Sequence, residues 1–131
     1  MADVTFVDGR DSTTFSPFVL IDCRDTEFSD VRLEFSDHDW TQANIGDDSI
    51  GGCYLNGYGI QGLVIAARVK AGLEPIPDGM EPNSEGDTCY IHFNDLDSAV
   101  QTAKLAHTMI HDAAQRVACA ELAVEHEYDD I

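Results

Sequence analysis

Residues 87–123 read DTCYIHFNDLDSAVQTAKLAHTMIHDAAQRVACAELA, and the change of period within this stretch decides the fold class. Across 87–93, Cys89, Ile91 and Phe93 alternate with Tyr90 and His92, the period of two that a half-buried strand requires. From Asn94 onward the period lengthens. Leu96, Val100, Ala103, Ala106, Ile110, Ala113, Val117 and Ala120 recur at helical spacing, Asn94 is a good N-cap, and Asp95 and Asp97 suit the positive end of a helix dipole. A strand followed directly by one long helix over 95–123 is therefore predicted, with the acidic end EHEYDDI fraying beyond it.

Upstream, 74–85 is rich in proline, glycine and acids and reads as a surface loop. Before it, Ile60, Leu63, Val64, Ala67 and Ala71 share a helical stripe over 60–73, with Gly72 as a C-terminal stop and Pro75 and Pro77 preventing continuation. The segment 36–52, SDHDWTQANIGDDSIGG, carries the only tryptophan and reads as an irregular loop, followed by a brief apolar run at 53–55. Earlier still, Val31, Leu33 and Phe35 alternate with Arg32, Glu34 and Ser36 as a strand, and 16–24 is a second β-rich run. The short linker between them, 25–30, makes an antiparallel hairpin the simplest connection. At the N-terminus Val4 and Phe6 form a short alternating run that the turn signal Asp8-Gly9 ends. Together these elements predict a single α+β domain over 1–131, an antiparallel sheet of four to five strands with two helices packed on one face.

With 131 residues the chain has the size of one domain, and 44% hydrophobic against 24% charged residues is the composition of a protein that folds. Its charge is unusual: 25 Asp and Glu against 7 Lys and Arg give a formal net charge of -18. Phosphate contacts dominate nucleic-acid affinity and need a basic face, so nucleic acid is excluded as an expected partner, and anionic membranes are disfavoured for the same reason. No apolar run approaches the ~20 residues of a transmembrane helix. The N-terminal MADVTFVDGR carries acids where an export signal needs cations, so a cytoplasmic location is expected. Cys23, Cys53, Cys89 and Cys119 are spread along the chain with no C-x-x-C pair, and reduced, mostly buried thiols are the expectation.

Several constellations invite chemistry. His107 and His111 stand at i, i+4 with Asp112 beside them, the spacing of a metal-ligand pair on one helix face. A zinc site needs further ligands, and where a metalloprotease helix has its glutamate base this chain has Thr108-Met109-Ile110, so surface or partly packed histidines are expected and no metal or cofactor is predicted. The acids Asp37, Asp39, Asp47 and Asp48 do not meet the spacing of a calcium loop. The string GYGIQG, from Gly57 to Gly62, matches a dinucleotide fingerprint but lacks the following strand with its acid, so a tight strand-to-helix turn is the expected use of these glycines.

What remains is the acidic surface. About half of the acids lie in residues 1–48, and their densest part, from Asp22 to Asp48, includes Trp40. Carboxylates arrayed around an aromatic anchor complement a cationic protein surface, where they speed association and set specificity. Asp37, Asp39, Trp40, Asp47 and Asp48 are accordingly the expected partner-binding residues of a non-enzymatic protein. The alternatives are a small metal-dependent or acid-base enzyme using carboxylates and the His107/His111 pair, and a solvated acidic or salt-adapted domain with no specific partner.

The stretch GGCYLNGYGIQGLV, the proline loop after it, and then NSEGDTCYIHF with the helix start NDLDSAV resemble small immunity proteins of bacterial polymorphic toxin and contact-dependent inhibition systems, most closely the Imm51-type family. The resemblance covers roughly 51–112. It implies that Asn56, Gly57 and Tyr58 shape a turn that opens a helix, and that Glu85, Gly86 and Asp87 form the loop before a strand. It also implies a function: neutralising a cognate toxin, expected to be cationic and nuclease-like, whose substrate surface the acids would cover in place of phosphates.

Overall fold

The computed structural model describes residues 4–131. Its centre is a five-stranded antiparallel sheet in the order β1-β2-β3-β7-β6, built from β1 (Arg10–Asp11), β2 (Val19–Cys23), β3 (Asp30–Phe35), β6 (Met80–Pro82) and β7 (Cys89–Phe93). Leu33 faces Leu20 on one side and Ile91 on the other, and Val31 faces Phe93, which in turn faces Met80. All of these are buried, so the alternation read from the sequence is the inner face of the sheet. The opposite rows, Arg10, Ile21, Arg32, His92 and Glu81, then Glu34 and Tyr90, form the outer face.

Among the described residues four helices accompany the sheet, where two are expected: α1 (His38–Asn44), α2 (Gly57–Lys70), α3 (Leu96–Ile110) and α4 (Ala113–Glu125). α2 and α3 contact the sheet, and α4 packs on α2, α3 and a small two-stranded ribbon, β4 (Ser49–Ile50) with β5 (Cys53–Tyr54). α2 is therefore covered on both sides. Gln61 and Arg68 are buried along with its apolar residues, so no polar stripe survives to mark an exposed face. The Arg68 guanidinium offsets its burial by donating to the Thr102 hydroxyl at 2.6 Å and the Glu74 carbonyl at 3.0 Å, tying α2 to α3 and to the following loop.

The single long helix expected over 95–123 is two. Asp112 accepts hydrogen bonds from the amides of Ala114 and Gln115 and so caps a second helix, because a side-chain carboxylate outcompetes the backbone carbonyl for these amides. The break redirects the buried face to Cys119, Ala120 and Ala123, leaving Val117 exposed although it continues the stripe. Asp95, rather than Asn94, caps α3 through the Ser98 amide.

Other expectations are corrected locally. Val4 and Phe6 form no strand; the chain turns at Asp8 and Gly9, both at positive φ, and Arg10–Asp11 is the edge strand. Segment 36–52 is ordered into α1 and the start of the ribbon, whose two-residue turn at Gly51 and Gly52, both at positive φ, is a hairpin signal hidden in the acidic stretch. In the proline loop, Met80–Pro82 pairs with β7 as the outer strand, a place where a proline costs no ladder bond. The acidic end does not fray: Tyr128–Asp130 forms a 3-10 turn packed on α2.

Candidate partner-binding surface

Asp39 and Trp40 lie on α1, and Asp37 immediately precedes it. Asp37 caps it, accepting from the Trp40 amide at 3.0 Å, and Asp39 is exposed in the first turn. Asp47 and Asp48 are exposed in the turn after α1, where the Asp47 carboxylate accepts the Asp48 amide and the Asp48 carbonyl accepts the Leu55 amide at 2.8 Å. None of these four carboxylates pairs with a cation among the described residues. They share the segment between β3 and the ribbon.

Trp40 does not protrude as an anchor would. It is half-buried against the core, and its ring stands edge-on to His111. His107 and His111 meet at 4.6 Å between ring centroids, and both reach the same acceptor, the Ser16 carbonyl, through His107 Nδ1 at 3.0 Å and His111 Nε2 at 2.9 Å. The metal-like spacing is thus used to hold the segment before β2. Among the described residues no group of three or more His, Cys, Asp or Glu side chains is placed to hold a metal ion. In the same first turn of α1, His38 Nε2 lies 2.7 Å from the Asp87 carbonyl.

The glycines of GYGIQG do more than turn the chain. Asn56 caps α2 by accepting from the Gly59 amide at 2.9 Å. A Cβ on Gly57 would lie 2.0 Å from the Glu85 carbonyl oxygen, one on Gly59 would lie 1.6 Å from that of Tyr54, and one on Gly62 would lie 2.9 Å from the Asp129 nitrogen. Each glycine lets a different segment pack directly on α2. Gly57 also donates its amide to the Gly86 carbonyl at 3.2 Å, so the turn at Asn56–Tyr58 and the loop Glu85–Asp87 are in contact.

This packing builds a cleft of about 460 Å³ lined by Tyr54, Asn56, Tyr58, Asp129 and Asp130, among others. Tyr54 is 57% and Tyr58 37% exposed. The residues alone do not reveal this cleft because its walls come from two segments far apart in the chain, 52–59 and 129–131, although the tyrosines of CYLNGYG carry a signal. Neighbouring Cys53 is a closed thiol: burial, helped by the charge of Asp129, pushes it up to about 11. Burial likewise raises Cys89 to about 12 and raises Cys119, which suits inert packing residues.

A second cleft of about 520 Å³ opens at the edge of the outer sheet face. His92 Nδ1 lies 2.9 Å from Asp30 Oδ2, and Arg32 Nε donates to Asp30 Oδ1 at 3.1 Å, so this carboxylate is already shared between two basic groups. On the same face Glu34 accepts from Arg10 at 3.2 Å, and its hydrogen bond with the Tyr90 hydroxyl raises that group's pKa. The outer face is largely self-compensated. No helix among the described residues is long and apolar enough to cross a membrane. Compared with protein-family models, curated proteins and solved structures, the chain matches none.

Proposed function

We propose that this is a non-enzymatic binding protein that neutralises a cognate toxin domain by covering its basic surface. One observation carries the reading: the surplus of negative charge is uncompensated where it is most exposed. The ion pairs among the described residues engage Asp22, Asp30 and Glu34 alone, and Arg68, one of only 7 Lys and Arg, is buried. Asp37, Asp39, Asp47 and Asp48 project from a segment that His38 and Trp40 hold in place, so their field is fixed in direction. A preorganised acidic field accelerates encounter with a cationic protein and repels nucleic acid. That the target is a nuclease-like toxin rests on the resemblance of the 51–112 motifs.

The test uses the toxin-like product of the adjoining reading frame, co-expressed with this chain and followed by growth rescue and by association kinetics. Rescue is expected, with an association rate that falls steeply as the Debye length shrinks from about 10 Å at 0.1 M salt to about 3 Å at 1 M. Asp→Asn at positions 37, 39, 47 and 48 together should slow association about tenfold and leave dissociation nearly unchanged. No binding, or unchanged association by the quadruple variant, overturns the reading of this segment.

A further inference from the structure

We propose that the cleft formed by Tyr54, Tyr58, Asp129 and Asp130 receives a single arginine side chain of the partner, an inference that rests on the reading of a basic protein partner. Two tyrosines, 57% and 37% exposed, line one concavity together with two carboxylates. Neither carboxylate is in an ion pair among the described residues, in contrast to Asp30 in the larger cleft, which already holds Arg32 and His92. A cation offered to the outer face would therefore have to displace one that is present, whereas at this cleft it adds a partner.

The chemistry selects guanidinium over ammonium. A planar guanidinium stacks on tyrosine faces and bonds a carboxylate through two parallel N–H groups, whereas an ammonium is a compact, strongly hydrated point charge. The walls are also fixed before binding. Gly59 and Gly62 admit the backbones of Tyr54 and Asp129 directly onto α2, and Gln61 Nε2 reaches the Tyr128 carbonyl at 3.5 Å, so little ordering remains for the complex to impose. One term opposes a cation. The first turn of α2 also lines the cleft, and a helix N-terminus carries roughly half a positive charge. Its Gly57 and Gly59 amides are already engaged by the Gly86 carbonyl and the Asn56 side chain, and two full negative charges outweigh the remainder.

The experiment titrates the whole protein, observed by NMR, with three blocked tripeptides that differ only in a central arginine, lysine or citrulline. Saturable shift changes centred on Tyr54, Tyr58 and Asp129 are expected for the arginine peptide, with citrulline about tenfold weaker because it keeps the shape and loses the charge. Tyr58→Ala should weaken the arginine peptide about fivefold, and Asp130→Asn by a similar factor. Both replaced side chains are exposed at least in part, and melts run in parallel identify a folding defect. If Tyr58→Ala misfolds, Tyr58→Leu, which keeps bulk without the ring, replaces it. Lysine or citrulline binding as well as arginine, or shift changes spread evenly over the acidic surface, overturns the proposal. Unimpaired capture of the toxin domain by Tyr58→Ala also overturns it while leaving the binding function standing. Arginine binding in the cleft by a protein that fails to rescue growth upholds the cleft and removes the toxin reading.

Discussion

The Trp40 indole stands edge-on to the His111 imidazole, with ring centroids 5.4 Å apart and planes at 89°. Through this contact the acid-bearing helix α1 is fastened to the end of α3, and through His111 to the Ser16 carbonyl before β2. Two features that the sequence offers as separate candidates, an aromatic anchor and a histidine pair, are one joint. It makes Trp40 a residue that positions Asp37 and Asp39 from behind.

Trp40→Ala should therefore lose stability first. Removing a half-buried aromatic is expected to cost about 2 kcal/mol, below the 3–5 kcal/mol of a fully buried one. His111→Ala should cost about 1 kcal/mol, and a double-mutant cycle by chemical denaturation should return a coupling of roughly 0.5–1.5 kcal/mol. A Trp40→Ala variant that melts like the wild type but releases its partner faster would show that Trp40 is a contact residue after all.

The glycines of α2 yield a contrast between neighbours in kind. Alanine inside a helix ordinarily gains about 1 kcal/mol over glycine. At Gly59 the new Cβ would meet the Tyr54 carbonyl oxygen at 1.6 Å and at Gly57 the Glu85 oxygen at 2.0 Å, and both obstacles are backbone. Gly59→Ala and Gly57→Ala should each lower stability by several kcal/mol or prevent folding, on the order of the largest single-site effects. At Gly86 nothing lies within 4 Å, so Gly86→Ala should stay within about 0.5 kcal/mol of the wild type. Thermal melts of the three variants decide the matter, and a stable Gly59→Ala would disprove the close approach.

Asp11 supplies a pH dependence. Burial raises its pKa, but hydrogen bonds from the Thr14 hydroxyl and from the Thr14, Thr13 and Thr5 amides more than offset this and bring it from 3.8 down to about 2. The folded protein therefore binds this proton less tightly than the unfolded chain. The stabilisation is fully present above pH 3.8 and is lost as pH falls toward 2, with a size on the order of 2 kcal/mol. Asp11→Asn should lower stability at pH 7 and flatten that part of the acid-unfolding curve relative to the wild type. Parallel curves for the two proteins over pH 2–4 would refute the assignment.

Where local chemistry and burial agreed, the elements were readable from residues alone. Cys89, Ile91 and Phe93 alternate because one face of β7 is core, and Gly72 ends its helix because only glycine takes its positive φ of 84° without strain. α2 begins and ends three residues before the stripe over 60–73 suggests, because a helix packed on both sides has no polar face to mark its limits, and Asn56 is its cap as well as part of the turn. α1 leaves no stripe in the sequence, because its seven residues bury little beyond Thr41 and Trp40. The break at Asp112 was visible as a capping residue, but an unbroken apolar period concealed it.

Period and composition are enough to set an antiparallel sheet with helices and a net charge of -18, because both act locally along the chain. Tertiary structure alone decided which groups meet: Trp40 with His111, both histidines with one carbonyl, and Tyr54, Tyr58 and Asp129 around one cleft. The physical reason is range. Backbone preference and hydrophobic period act over a turn or two of chain, whereas a site assembled across β5, α2 and the C-terminal turn depends on how closely backbones can pass, which three glycines set only once the helix has something to pack against.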